Sequence, residues 1–135
     1  GSETRLAVLF IDADSLKLAN DRFGHSVGDQ LLKEIARRLR DIMRNGDCVA
    51  RLGGDEFAVL VEPLRFAEHV TLLVHKIRMA MEAPLEGMEG APSPRVSVGS
   101  AVYPDDGVIA QALLAHADAQ MYLAKRQRQN KTADS

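Results

Sequence analysis

Two apolar runs, Cys48-Val49-Ala50 and Phe57-Ala58-Val59-Leu60-Val61, are joined only by Arg51-Leu52-Gly53-Gly54-Asp55-Glu56. A short connection rich in glycine and acid between two such runs reads as a β-hairpin, so the chain is expected to build on an antiparallel pair. Gly53 and Gly54 can take positive φ and let another molecule approach the main chain. Asp55 and Glu56 sit side by side at the tip, where two negative charges repel unless a cation intervenes. The turn therefore fits a metal and phosphate site. It fits an ordinary surface turn as well, because Gly-Gly-Asp is common turn chemistry and acids at turns are usually solvated.

The rest of the chain bears on that choice. Leu6-Ala7-Val8-Leu9-Phe10-Ile11 is a continuous apolar run, expected as a strand buried on both faces near the middle of a sheet. It ends in Asp12-Ala13-Asp14, and carboxylates at the mouth of a buried strand lie where sheets covered by helices place ligands. A period of two points both acids to one side; Asp12 is read as a metal ligand and Asp14 as the cap of a short helix through Leu16, Lys17 and Leu18. Asn20 to His25 is expected to break that helix, and Ser26 to open a longer one with Val27, Leu31, Leu32, Ile35, Ala36, Leu39, Ile42 and Met43 on its apolar side. Asn45-Gly46 is expected to stop it as a C-cap.

After the hairpin, Pro63 reads as a break. Phe66, Val70, Leu73, Val74, Ile77 and Met81 then form a second amphipathic stripe, on which His69 and His75 lack any transition-metal spacing. Residues 85–94 read as a loop, residues 95–102 as a half-buried strand, and Pro104-Asp105-Asp106-Gly107 as a turn with solvated acids. A final helix carries Ile109, Leu113, Leu114, Ala117, Met121 and Tyr122 and ends in Lys125, Arg126 and Arg128, cations that suit the helix dipole.

Strand, helix pair, hairpin, helix, strand and helix predict an α+β domain: a central, mostly antiparallel sheet with helices packed on it, of ferredoxin or palm type. In that topology the first strand neighbours the hairpin, and Asp12 faces Asp55 and Glu56.

At 135 residues the chain is long enough for one domain with a real core. No apolar run approaches the roughly 20 residues needed to cross a bilayer, and the lone Cys48, read as a small buried hydrophobe, fits a reducing, cytoplasmic compartment. The parent protein can still be membrane-anchored, because Gly1-Ser2 reads as a cloning remnant ahead of an excised domain. A net charge of −2, with no Trp, two Tyr and four Phe, argues against a nucleic-acid partner.

Three carboxylates converging on one point call for Mg²⁺ or Mn²⁺, hard cations that take oxygen ligands with phosphates completing the shell. Two such ions could activate a ribose hydroxyl and stabilise a leaving pyrophosphate. Lys17 and Lys125 can supply positive charge to a triphosphate. Asn20 and Asp29, an amide and a carboxylate, can together read a guanine edge. Each is equally explicable as a cap or turn former.

Arg51-Leu52-Gly53-Gly54-Asp55-Glu56-Phe57 resembles the signature of GGDEF domains, the diguanylate cyclases that condense two GTP into cyclic di-GMP and pyrophosphate. The likeness extends over Asp12, Asp14, Lys17, Asn20-Asp21, Gly24-His25 and Gly28-Asp29, then Ser97-Val98-Gly99, His116-Ala117-Asp118 and Met121-Tyr122 with Ala124-Lys125, all in order and spacing. The resemblance implies a GGDEF domain over residues 3–130, with 131–135 a frayed tail, acting in bacterial signalling. It implies metal ligation by Asp12, Asp55 and the Ala13 carbonyl. Glu56 falls at the reacting 3′-hydroxyl and the metals, with the choice of base between Asp55 and Glu56 left open. Lys17 and Lys125 fall on the phosphates, and Asn20 and Asp29 on guanine with His25 close by. Gly53 and Gly54 lie where the main chain meets substrate, and Arg44 and Asp47 match the family's Arg-x-x-Asp inhibitory site for its own product.

The chain also departs from the family pattern. An Asp-x-Leu-Thr-x-Leu-x-Asn-Arg lead-in is absent, and Arg128-Gln129 stand where a Gly-Arg/Lys pair is usual, with Arg126 or Arg128 as replacement phosphate contacts. The expected partners are GTP, cyclic di-GMP, a second copy forming the catalytic homodimer, and sensory or other regulatory domains in the full-length protein. The alternative is a catalytically silent module that binds GTP or cyclic di-GMP and signals to a neighbouring domain.

Overall fold

The computed structural model describes residues 5–14, 16–44 and 46–134, with side chains through residue 128. The element order is β1 (Arg5–Ala13), α1 (Leu16–Phe23), α2 (His25–Ile42), β2 (Cys48–Gly53), β3 (Glu56–Leu64), α3 (Glu68–Ala80), β4 (Val96–Tyr103) and α4 (Ala110–Asp134). One sheet in the order β2-β3-β1-β4 unites the strands, and each neighbouring pair is antiparallel. This is the α+β architecture expected from the order of elements.

β1 is central because it can be buried on both faces. Ala7, Leu9, Ile11 and Ala13 turn toward α2 and α3, joining Ile35, Leu39, Phe57, Val59 and Ile77 in the main core. Leu6 and Phe10 turn the other way, against Ala101, Leu113 and Ala117 under α4. That alternation is the period-two geometry of a strand between two layers.

Several boundaries differ from expectation. α1 runs on through Phe23, because Leu16, Ala19 and Phe23 pack with Val27, Leu31 and Leu85; that burial outweighs the weak helix propensity of Asn20 and Asp21. α2 opens one residue early, at His25, and ends at Ile42 with Met43 as C-cap. Asn45, Ser15 and Gly1-Ser2 lie outside the described residues. β3 continues through Pro63 to Leu64: β2 pairs no further along it than Leu60, and the β1 ladder is irregular between Arg5 and Ala7, so no regular ladder needs the missing N–H. Phe66 precedes α3 and is exposed.

β4 is buried on both faces rather than half-buried, because α4 lies directly on it. Cys48 is exposed: β2 is an edge strand beyond the reach of α4. Asp106 is not a solvated turn acid, since its Oδ2 accepts the Val102 N–H at 2.8 Å and its Oδ1 lies 3.5 Å from His116. α4 extends to Asp134, over residues expected to fray.

Candidate functional site

The strand ends bring the expected carboxylates together at one edge of the sheet. Asp12 stands opposite Glu56 in the β1–β3 ladder, and the Ala13 N–H donates to the Asp55 carbonyl at 3.0 Å. Asp12 is buried, and its Oδ2 accepts a hydrogen bond from Lys125 Nζ at 2.8 Å. Its Oδ1 is buried with no hydrogen-bond partner. Burial pushes the Asp12 carboxyl above its ordinary value; Lys125 opposes the shift and the nearby Asp55 carboxylate adds to it. For Lys125 the largest influence, desolvation, pulls downward, but Asp12, Asp14 and Asp55 together outweigh it and hold the ammonium charged above the usual lysine range.

Among the described residues, no three of His, Cys, Asp and Glu are grouped closely enough to hold a metal ion. The expected convergence of three carboxylates is thus reduced: Asp12 and Asp55 interact, while Glu56 is exposed at the first position of β3. The donor set still fits a hard cation. A buried carboxylate oxygen without a donor is costly, and an ion also held by ligand phosphates is the kind of partner that would satisfy it.

Asp14 shares the side of the sheet that carries α4 but is committed elsewhere. Ser97 Oγ donates to its Oδ1 at 2.9 Å, and Arg128 Nη1 donates to its Oδ2 at 3.2 Å. This replaces the helix cap expected of it, because β4 and α4 bring stronger donors than the local turn offers. Burial pushes its carboxyl up, against Ser97 and the positive charges of Arg128 and Lys125. Lys125 and Arg128 are therefore partners of Asp12 and Asp14 rather than the helix-end cations expected of them, because α4 runs on to Asp134. Ser97 lies in the Ser97-Val98-Gly99 motif, but its contact with Asp14, 83 residues away in sequence, has no local signal.

At the hairpin tip Gly53 has φ 136° and Gly54 φ 53°, both positive as the tight turn requires. Arg51 Nε and Nη2 donate to the Gly54 carbonyl at 3.1 and 2.7 Å, bracing the turn from within. Lys17, His25 and Asp29 are exposed on α1 and α2, and Asn20 is half-buried between those helices. Gly24, with φ 106°, turns the chain from α1 to α2, while the Gly28 N–H donates to Asn20 Oδ1 at 2.7 Å.

Arg44 and Asp47 lie at the other end of β2. Asp47 Oδ2 accepts the Arg44 backbone N–H at 3.1 Å and lies 3.6 Å from its Nε, with the aspartate side chain only 5% exposed and the arginine 55%. Both line a cleft of about 220 Å³ that reaches Leu72, Leu73, His69 and Lys76 of α3. The pair thus lies apart from the carboxylates, about 17 Å away along β2 by strand rise. His69, which lacks a transition-metal spacing in the sequence, borders this cleft and meets Phe66 edge-on at 5.4 Å.

A family model described as diguanylate cyclase, GGDEF domain, matches residues 1–131. The diguanylate cyclase TpbB of Pseudomonas aeruginosa is 47% identical over 124 residues, which cover 91% of this chain and 28% of TpbB. The chain thus spans little more than a quarter of that relative. A solved structure of TpbB comprising only its GGDEF domain is 46% identical with a TM-score of 0.86, covering 92% of this chain and 73% of that one. The GGDEF domain of DgcB from Caulobacter crescentus, in complex with c-di-GMP, is 27% identical with a TM-score of 0.78, covering 92% and 74%.

Proposed function

The chain belongs to the GGDEF family of diguanylate cyclase domains, and from that footing we propose that it condenses two GTP into cyclic di-GMP and pyrophosphate, in the service of bacterial signalling. The observation that carries this reading is the buried Asp12: one carboxylate oxygen held by Lys125, the other lacking a donor, beside the glycine-rich turn that presents Asp55. Asp12, Asp55 and the Ala13 carbonyl would hold Mg²⁺ or Mn²⁺, with Glu56 at the same edge. A divalent ion there supplies neutralisation of phosphate charge and a more acidic ribose hydroxyl.

Lys17 and Lys125 balance the triphosphate, and Gly53 and Gly54 let the main chain lie against it. Asn20 and Asp29 hold guanine, with His25 beside them. In each half-reaction a 3′-oxygen attacks the α-phosphorus of the other GTP, pyrophosphate leaves, and the hydroxyl proton passes to Asp55 or Glu56. One site holds one nucleotide, so the second comes from a second copy, and catalysis requires a homodimer. The product returns to Arg44 and Asp47, where an arginine fork suits phosphate and guanine edges alike. Because that cleft is remote from the carboxylates, inhibition acts through domain arrangement rather than by competition. Sensory or other regulatory domains in the full-length protein set that arrangement.

Incubating the dimerised full-length protein with GTP and Mg²⁺ should yield cyclic di-GMP by mass spectrometry, and ATP should yield none. Absence of product would sink the enzyme reading. The engagement of Asp12 by Lys125, with no third metal-binding side chain grouped there among the described residues, favours as second reading a silent nucleotide-binding module. Calorimetric binding of GTP or cyclic di-GMP without turnover would select it. Arg44→Ala should abolish product binding and inhibition and leave GTP affinity unchanged; unchanged product affinity would refute the assignment of that cleft.

A further inference from the structure

We propose that Gly28 is a positioning residue for base recognition: its main chain and its missing side chain together dictate which end of the Asn20 amide faces the nucleotide. The inference rests on the reading that Asn20 and Asp29 hold guanine. In the first turn of α2 the Gly24 carbonyl accepts the Val27 N–H at 3.2 Å, and the Gly28 N–H turns to a side chain. The residue preceding α2, Gly24, offers no side-chain cap. Asn20 of α1 supplies the acceptor instead, its Oδ1 lying 2.7 Å from the Gly28 nitrogen.

A backbone N–H can only donate, so the group it meets must be the amide oxygen. The Asn20 NH₂ is thereby the end of the amide that the Gly28 N–H does not hold. The fit is close: a Cβ at position 28 would stand 2.6 Å from Asn20 Oδ1, 2.8 Å from Nδ2 and 3.0 Å from Cγ. Any side chain at 28 would displace the whole amide. The next residue, Asp29, is an exposed carboxylate that only accepts. A fixed donor next to a fixed acceptor complements guanine, which offers a carbonyl acceptor beside ring and exocyclic N–H donors. Adenine sets an amino donor where guanine has that carbonyl.

The test titrates the full chain, with Mg²⁺, against 3′-deoxy-GTP, which lacks the attacking hydroxyl and binds without turnover. Tripolyphosphate reports the phosphate part alone. Asn20→Ala and Gly28→Ala should each weaken 3′-deoxy-GTP about tenfold, leave tripolyphosphate unchanged, and be no worse combined than singly. Gly28→Ala that binds like the parent, or that costs the same factor again in the Asn20→Ala background, overturns the positioning role while the guanine reading stands. Asn20→Ala that binds like the parent overturns both. Asn20→Asp decides the matter should Gly28→Ala fail to fold: it keeps an oxygen for the Gly28 N–H and removes the outward donor. It should melt like the parent and lose the base-dependent affinity; retained affinity would refute the orientation argument.

Discussion

Gly99→Ala links the packing of the last helix to the chemistry at the sheet edge. Gly99 sits in β4 under α4, and a Cβ added there would stand 2.0 Å from the Ala117 carbonyl oxygen, 2.2 Å from the Met121 nitrogen and 2.8 Å from the Met121 Cα. All three are main-chain atoms, so no rotamer change relieves the clash. Restoring ordinary contact requires α4 to withdraw by about 1.4 Å, which opens the interface that buries Leu113, Ala117 and Met121. Overpacking of a core costs about 1–3 kcal/mol where side chains can yield, so a clash with helix backbone belongs at or above about 3 kcal/mol. Lys125, one turn beyond Met121, moves with the helix, and its 2.8 Å bond to Asp12 stretches toward about 4 Å, past hydrogen-bond range. Urea denaturation followed by circular dichroism should show a lower midpoint at unchanged slope. GTP titration should show weaker binding in the population still folded. A midpoint shift worth less than about 1 kcal/mol, with GTP affinity intact, would refute the claim that this contact seats α4 over the site.

Three further perturbations test separate parts of the structure. Lys125→Met leaves the buried Asp12 without its cation and, with the lysine 28% exposed, should cost about 1–3 kcal/mol of stability in thermal melts without metal, between the values for exposed and buried pairs, along with GTP affinity; unchanged values would mean the pair is idle. Arg38, 11% exposed, donates to the carbonyls of Ala80, Ala83 and Pro84 while pairing with Glu34, so Arg38→Met should cost about 2–3 kcal/mol by urea denaturation and leave nucleotide binding untouched. The hydrogen bond from Arg37, joined by Arg38 against a smaller effect of burial, holds the Glu34 carboxyl below its ordinary value of 4.5. A depressed acid stabilises the fold above its unfolded value and loses that contribution as pH falls through the folded one. Glu34→Gln should therefore be less stable than the parent at neutral pH and show a shallower loss below about pH 4.5 in pH-dependent denaturation; parallel curves would refute the coupling.

Local patterning was enough for the element types, the hairpin and the antiparallel sheet, because the apolar periods of these segments are set by neighbours within one turn or one ladder step. It was also enough for Asp12 facing the hairpin, since strand order follows from the order of elements and a mouth acid then meets the turn across one ladder. What depended on distant partners was not legible. Asp14 reads as a cap until β4 delivers Ser97 and α4 delivers Arg128. Cys48 reads as buried until the sheet order leaves β2 at an edge. α1 reads as broken at Asn20 until Phe23 finds Val27 and Leu85. Lys125 reads as a dipole counterion until its helix brings it to Asp12, 113 residues away. Sequence by itself determined which groups bring the chemistry proposed for a nucleotide, because carboxylates, lysines and glycines carry it wherever they lie. Tertiary structure alone decided which are committed to one another, because burial and pairing are set by what packs on top.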